Sequence, residues 1–157
     1  MAEPVFRRAV ADDRAAVVDL TRDAYAHYTS LLGGPPIPVT EDYEPRIARG
    51  EVWLLEQGTA LAGLLVLEDA GDHGLIFSVA VAPGHQGQGY GIRLLREAET
   101  LTRRMGFAEV RLYTNARMER NIALYTSFGY VETGRRANPK RPGWVAVDMA
   151  KTLGPDP

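Results

Sequence analysis

Val79-Ala80-Val81-Ala82-Pro83-Gly84-His85-Gln86-Gly87-Gln88-Gly89-Tyr90-Gly91 is the stretch whose reading decides the fold. Leu75 to Val81 is nearly all apolar, which predicts a strand buried on both faces. It runs into a glycine-dense turn. A long helix follows from about Gly89 to Met105, with Ile92, Leu95, Ala98, Leu101 and Met105 as one apolar stripe and Gly106 as its stop. A turn of this kind gathers unpaired backbone N–H groups at a helix N-terminus, where the helix dipole favours an anion. Glycines let a phosphate approach the backbone and tolerate positive φ. The dinucleotide pattern G-x-G-x-x-G fails, because counting from Gly87 and Gly89 puts Ile92 at the third glycine. No Lys-Ser or Lys-Thr follows, so the P-loop pattern fails too.

Working outward, Val5 to Val10 reads as a strand. Asp12 or Asp13 is placed to cap the helix after it, on which Val17, Leu20, Thr21, Ala24 and Tyr28 recur at helical spacing. Gly33-Gly34-Pro35-Pro36 stops that helix. A second short helix lies within Glu41 to Arg49 and is expected to begin near Pro45, since proline suits a first turn. Val52 to Leu55 and Leu61 to Leu67 form a hairpin about Gln57-Gly58-Thr59. Glu109 to Tyr113 is a strand, Asn121 to Phe128 a helix ended by Gly129, and Tyr130 to Thr133 and Trp144 to Met149 the last strands. Adjacent strands predict antiparallel pairing, and the central strand–helix–strand predicts at least one parallel pair with a right-handed crossover. The expected class is α/β of the α+β type. Its mixed, mostly antiparallel sheet has about seven strands flanked by about four helices, in a single domain over residues 1–157.

Bulk properties exclude several functions. The chain has 157 residues, net charge −2 and no cysteine. Nothing pulls it toward nucleic acid or an anionic membrane, and disulfides, thiolate metal sites and a cysteine nucleophile are ruled out. His27, His73 and His85 lack zinc spacing, so no metal is expected. The first ten residues lack the apolar core of a signal peptide, and no apolar run nears the ~20 residues of a membrane helix. A cytoplasmic protein is the expectation.

A second motif lies downstream at Asn121-Ile122-Ala123-Leu124-Tyr125-Thr126-Ser127-Phe128-Gly129-Tyr130. Asn121 and Tyr125 are four apart and share a helix face. Gln86-x-x-Gly89-x-Gly91, the apolar strand ending at Pro83, and the Asn-x-Ala-x-Tyr helix closing on Phe-Gly-Tyr together resemble the GNAT superfamily of N-acetyltransferases. Gln86 is the less common choice at its position and gives up a positive charge.

The resemblance covers roughly Val79 to Tyr130 and implies acetyl-CoA as acetyl donor. It implies that Val79 and Val81 meet the pantetheine arm and acetyl group through backbone atoms. Gln86, Gly87, Gln88, Gly89, Tyr90 and Gly91 would cradle the pyrophosphate, and Asn121 would contact CoA. Tyr125 would be the general acid, a role that fits a phenol of pKa ~10 facing a thiol of ~8.5. Arg93, Arg96 and the basic run Arg135 to Arg141 are further candidates for CoA phosphates, with a solvated loop as the alternative for that run.

Transfer would run directly to a primary amine in a ternary complex, with a backbone N–H near Val79 for the oxyanion. The sequence identifies no general base. Glu68, Asp69, Asp72 and His73 read as turn residues. In the same family the N-terminal region forms much of the acceptor wall, which would place Tyr25, Tyr28 and Tyr43 there. Aromatics beside Glu41, Asp42 and Glu44 would suit a cationic amine. The alternative is that Tyr25 and Tyr28 pack the helix while the acids face water. The acceptor is expected to be a small molecule. A protein N-terminus or lysine, and a non-catalytic acyl-CoA-binding module, are the competing readings. A homodimer is an allowed assembly.

Overall fold

The computed structural model describes residues 3–154. Residues 1–2 and 155–157 of the expected domain lie outside the described residues. Seven strands form one sheet: β1 (Val5–Arg8), β2 (Val52–Gln57), β3 (Ala60–Asp69), β4 (Gly74–Val81), β5 (Glu109–Asn115), β6 (Val131–Ala137) and β7 (Val145–Thr152). Their spatial order is β1-β2-β3-β4-β5-β7-β6. Every pair is antiparallel except β4–β5. The mixed sheet and its single parallel pair are those expected.

The helices are α1 (Arg14–Leu32), α2 (Ile37–Thr40), α3 (Tyr43–Ala48), α4 (Tyr90–Arg104) and α5 (Glu119–Ser127). α2 was not expected, because prolines 35, 36 and 38 read as a helix stop. Pro38 sits in its first turn, where no backbone N–H is needed. α3 begins two residues before Pro45, with the Asp42 carboxylate accepting from the Glu44 N–H at 3.1 Å. Asp13 does stand at the N-cap of α1, but its carboxylate does not cap the helix. It accepts instead from the Val10 N–H (2.7 Å) and from Arg7 (2.8 and 2.9 Å).

Side chains alternate across the sheet and fill two cores. Val52, Leu54, Leu64 and Val66 pack with Val17, Leu20 and Tyr43 on the α1–α3 face. Leu55, Leu65, Leu67 and Val110 pack with Leu94, Leu95 and Ala98 on the α4 face. β4 feeds both: Phe77 and Ala80 point one way, Ile76, Val79 and Val81 the other. At Gly63 a Cβ would lie 2.9 Å from the Ala80 carbonyl oxygen and 3.0 Å from Leu94, so only glycine lets β3, β4 and α4 approach this closely.

Candidate active site

The site begins where β4 leaves β5. Their pairing covers only Gly74↔Val110, Leu75↔Arg111 and Ile76↔Leu112. One residue further along, β4 carries a bulge. Leu67 pairs with Ile76 and Val66 with Ser78, so Phe77 is an extra residue without a partner on β3. A bulge bends its strand and re-aims side chains. Here it turns β4 away, and Phe77 to Val81 run on with no strand on the β5 side. Ala82 donates to Ala62 O on β3 at 2.8 Å, so the alternate residues Val79 and Val81 face the opening. Their carbonyls bear this out: Val79 O accepts from the Tyr25 hydroxyl (3.3 Å) and Val81 O from Gln86 Nε2 (3.4 Å).

The glycine-dense turn closes one end of this opening. α4 has Gly89 at its N-cap, at φ 81°, with no side-chain cap and no acidic residue in the first turn. The first amides of α4 are therefore left free of internal competition. Gly87 is also at φ 81°, and a Cβ on either glycine would meet nothing within 4 Å. The result is a concave, uncapped, positively polarised helix end beside an unpaired strand edge. It fits a pyrophosphate followed by an extended, amide-bearing chain.

A groove of about 330 Å³ joins these features. Val79, Ala80, Val81, Gln86, Gly87, Gly89, Tyr90 and Gly91 line one side, with Tyr25 and Tyr28 of α1 and Arg120, Asn121 and Tyr125 of α5 opposite. Gln88 does not line it. Arg93 and Arg96 do not line it either, whereas Arg120 and His85 do. Arg120 stands directly before the Asn121 motif, and its charge holds the Tyr28 hydroxyl down against the upward pull of burial.

A second cavity, of about 80 Å³, lies in the wedge between the parted strands. Phe77 and Ser78 of β4, Tyr113 and Thr114 of β5, Pro36 to Pro38, and Trp144 enclose it. Tyr25, Asn121 and Tyr125 belong to both cavities. Tyr28 donates to Asn121 Oδ1 at 3.4 Å, and the Tyr25 hydroxyl lies 3.2 Å from Ser78 Oγ. Tyr125 is buried, and its ring meets Tyr130 edge-on at 5.9 Å. Burial, reinforced by Tyr25, Tyr130 and Tyr28, drives the Tyr125 hydroxyl well above its ordinary range, so it stays protonated. Tyr130 behind it has a buried hydroxyl with no hydrogen-bond partner among the described residues.

Tyr43 is in the core rather than at a cavity wall. It is 1% exposed, and its hydroxyl donates to Pro38 O at 2.5 Å. The acids around it are also engaged: Glu41 pairs with Arg46, and Asp42 and Glu44 with Arg14. Glu68 pairs with Arg46, Asp69 accepts from the Gly71 N–H, and Asp72 pairs with His73. None of these lines either cavity. Arg135 to Ala137 continue β6, where Arg136 clasps Asp148 at 2.7 Å through two nitrogens. Phe77, Met118, Asn138 and Trp144 went unread as site residues. Phe77 is on β4, Met118 precedes α5, and Asn138 and Trp144 share the β6–β7 connection, so they form no local pattern.

No helix among the described residues is long and apolar enough to cross a membrane. The rat protein N-acetyltransferase 8F1 (Rattus norvegicus) is 30% identical over 95 residues, which make up 57% of this chain and 43% of the rat protein. The chain thus spans less than half the length of that relative. The N-acetyltransferase PaiA of Thermoplasma acidophilum, solved in complex with coenzyme A, superposes with a TM-score of 0.80 at 15% identity, over 97% of this chain and 100% of that one. A GNAT acetyltransferase of Elizabethkingia anophelis, solved with acetyl-CoA bound, gives 0.78 at 18% identity, over 98% and 100%. Structures this distant in sequence establish the shared fold. Residues 17–130 match the model of the acetyltransferase (GNAT) family, which is more than half of the chain and includes both cavity-forming motifs; the chain belongs to that family.

Proposed function

We propose that the protein transfers an acetyl group from acetyl-CoA to the primary amine of a small molecule by direct attack. The observation that carries this reading is the sharing of Tyr25, Asn121 and Tyr125 by the groove and the wedge pocket, beside the unpaired edge of β4. Two substrates lying in those cavities would meet there.

Acetyl-CoA supplies a thioester carbonyl and a thiolate leaving group. The free amides of Gly89, Tyr90 and Gly91 hold its pyrophosphate, and Arg120 adds a positive charge at the α5 side. Val79 and Val81 present backbone groups to the pantetheine arm. The Val79 N–H faces the opening and is placed to stabilise charge developing on the carbonyl oxygen. Asn121, held by Tyr28, orients the thioester end. Tyr125 passes its proton to the departing sulfur. Burial keeps the phenol protonated, and it also disfavours a free thiolate in the same site, which favours the transfer. Among the described residues no carboxylate or histidine lines the wedge pocket, which supports loss of the ammonium proton to water before attack.

Calorimetry with acetyl-CoA, and with CoA, ATP and NAD as controls, tests the reading. Micromolar binding of acetyl-CoA without ATP or NAD binding is expected, followed by CoA thiol release with amines. A folded sample that binds no acetyl-CoA would remove the donor. Binding without release to any amine would leave a non-catalytic acyl-CoA module.

A further inference from the structure

The wedge pocket has a distinctive electrostatic character. No charged side chain lines it among the described residues. Four carboxylates paired with the cations behind its wall are committed to them. Glu41, Glu51 and Glu68 all converge on Arg46, at 2.5, 3.1 and 3.4 Å. Asp148 is held by Arg136.

Five aromatic residues line the pocket, and three of them, Phe77, Tyr113 and Trp144, already carry a cation. The Arg46 guanidinium lies 3.8 Å from the Phe77 ring centre, Arg141 4.5 Å from Trp144, and Arg136 5.6 Å from Tyr113. Arg141 is fixed in place by donation to Pro35 O at 2.6 Å. An aromatic cage attracts an ammonium through unshared ring faces. Here Phe77, Trp144 and Tyr113 each already hold a guanidinium, which leaves less of that attraction for a second cation. A charged group entering the pocket would lose its water and find no carboxylate.

Resting on the acetyl-transfer reading, we propose that the wedge pocket selects a primary monoamine with an apolar body and no second positive charge. Apolar contact with Phe77, Ile37 and Trp144 holds the body. The neutral Ser78, Thr114 and Asn138 side chains supply the polar contacts.

The test measures kcat/KM for thiol release at saturating acetyl-CoA. Its acceptors are isoamylamine, benzylamine, spermidine and a short lysine-containing peptide with a free N-terminus. The two apolar monoamines should exceed spermidine and the peptide by about tenfold or more, the penalty of desolvating an unpaired ammonium. Equal or better use of spermidine or the peptide overturns the proposal. Asn138→Asp keeps the oxygen that accepts from the Lys140 N–H at 3.0 Å and adds a carboxylate to the wall. It should narrow the preference over spermidine by about tenfold, and unchanged selectivity counts against the electrostatic basis. A binding readout separates the two readings. Quenching of Trp144 fluorescence, taken as wild type minus Trp144→Phe, is expected with benzylamine and not with spermidine, whether or not thiol is released. Quenching without release would sink the transfer reading and keep the selection. Neither quenching nor release with either apolar amine overturns the selection itself.

Discussion

The groove and the wedge pocket share three side chains, yet they are built by different means. The groove presents mainly backbone: a free strand edge, an uncapped helix end and two glycines in the left-handed region. The pocket presents side chains, all of them aromatic, apolar or neutral among the described residues. Backbone recognition suits a ligand of fixed chemistry, because every residue offers the same N–H and C=O. Side-chain recognition suits a partner that differs from one protein to the next, because a wall can be rebuilt one residue at a time.

The largest expected effect strikes the boundary between them. Tyr125→Phe should lower kcat by about 10²- to 10³-fold while acetyl-CoA affinity stays within a few-fold, as expected for loss of a general acid. Near-normal turnover would assign the proton to another group and leave the two cavities standing. Next comes the groove alone. Gly89→Ala places a Cβ on a residue at φ 81°, a strain of about 1–2 kcal/mol. Calorimetry should show acetyl-CoA binding weakened on the order of tenfold, with the amine KM little changed. Trp144→Ala is the counterpart in the pocket. It should raise the amine KM about fivefold through lost apolar contact and leave acetyl-CoA affinity alone. If either variant moved both constants equally, the division of labour would fail.

The smallest effect at neutral pH concerns the tyrosines around the shared boundary. Burial raises Tyr25, Tyr125 and Tyr130 above the ordinary phenol value of 10.0. A group raised in the folded state stabilises it fully below its unfolded pKa, and that stability is lost as pH rises through the folded pKa. Melting temperature should therefore hold up to about pH 10 and fall above it, in step with phenolate absorbance. Ionisation of these tyrosines without loss of structure would mean that they are wetter than their packing indicates.

The groove was legible in the sequence for a physical reason. A strand, a turn and a helix N-terminus are consecutive in the chain, so Val79 to Gly91 announces its use in thirteen adjacent letters. Asn121 and Tyr125 were legible because one helical turn puts them on one face. The pocket was not legible, since Ile37, Phe77, Tyr113 and Trp144 meet only through the sheet. Tyr43 was expected at the wall because the family resemblance puts the N-terminal region there and acids flank it. Its hydroxyl finds Pro38 O, and that bond takes it into the core. The bulge at Phe77 was invisible for a further reason. A strand buried on both faces shows no alternation, so an extra residue breaks no pattern.

The unpaired length of β4 amounts to an edge strand in the interior of a sheet. Edges ordinarily invite other strands, but α1 and α5 stand on either side of this one, with Tyr25 and Tyr125 at its lip. The sheet thus forgoes ladder hydrogen bonds that its own chain has the residues to make. Removing Phe77 would delete the bulge and let β4 zip onto β5 beyond Ile76. The same deletion would take a buried ring out of the α1–α3 core and from under Arg46, so the residue that parts the strands is one the core depends on.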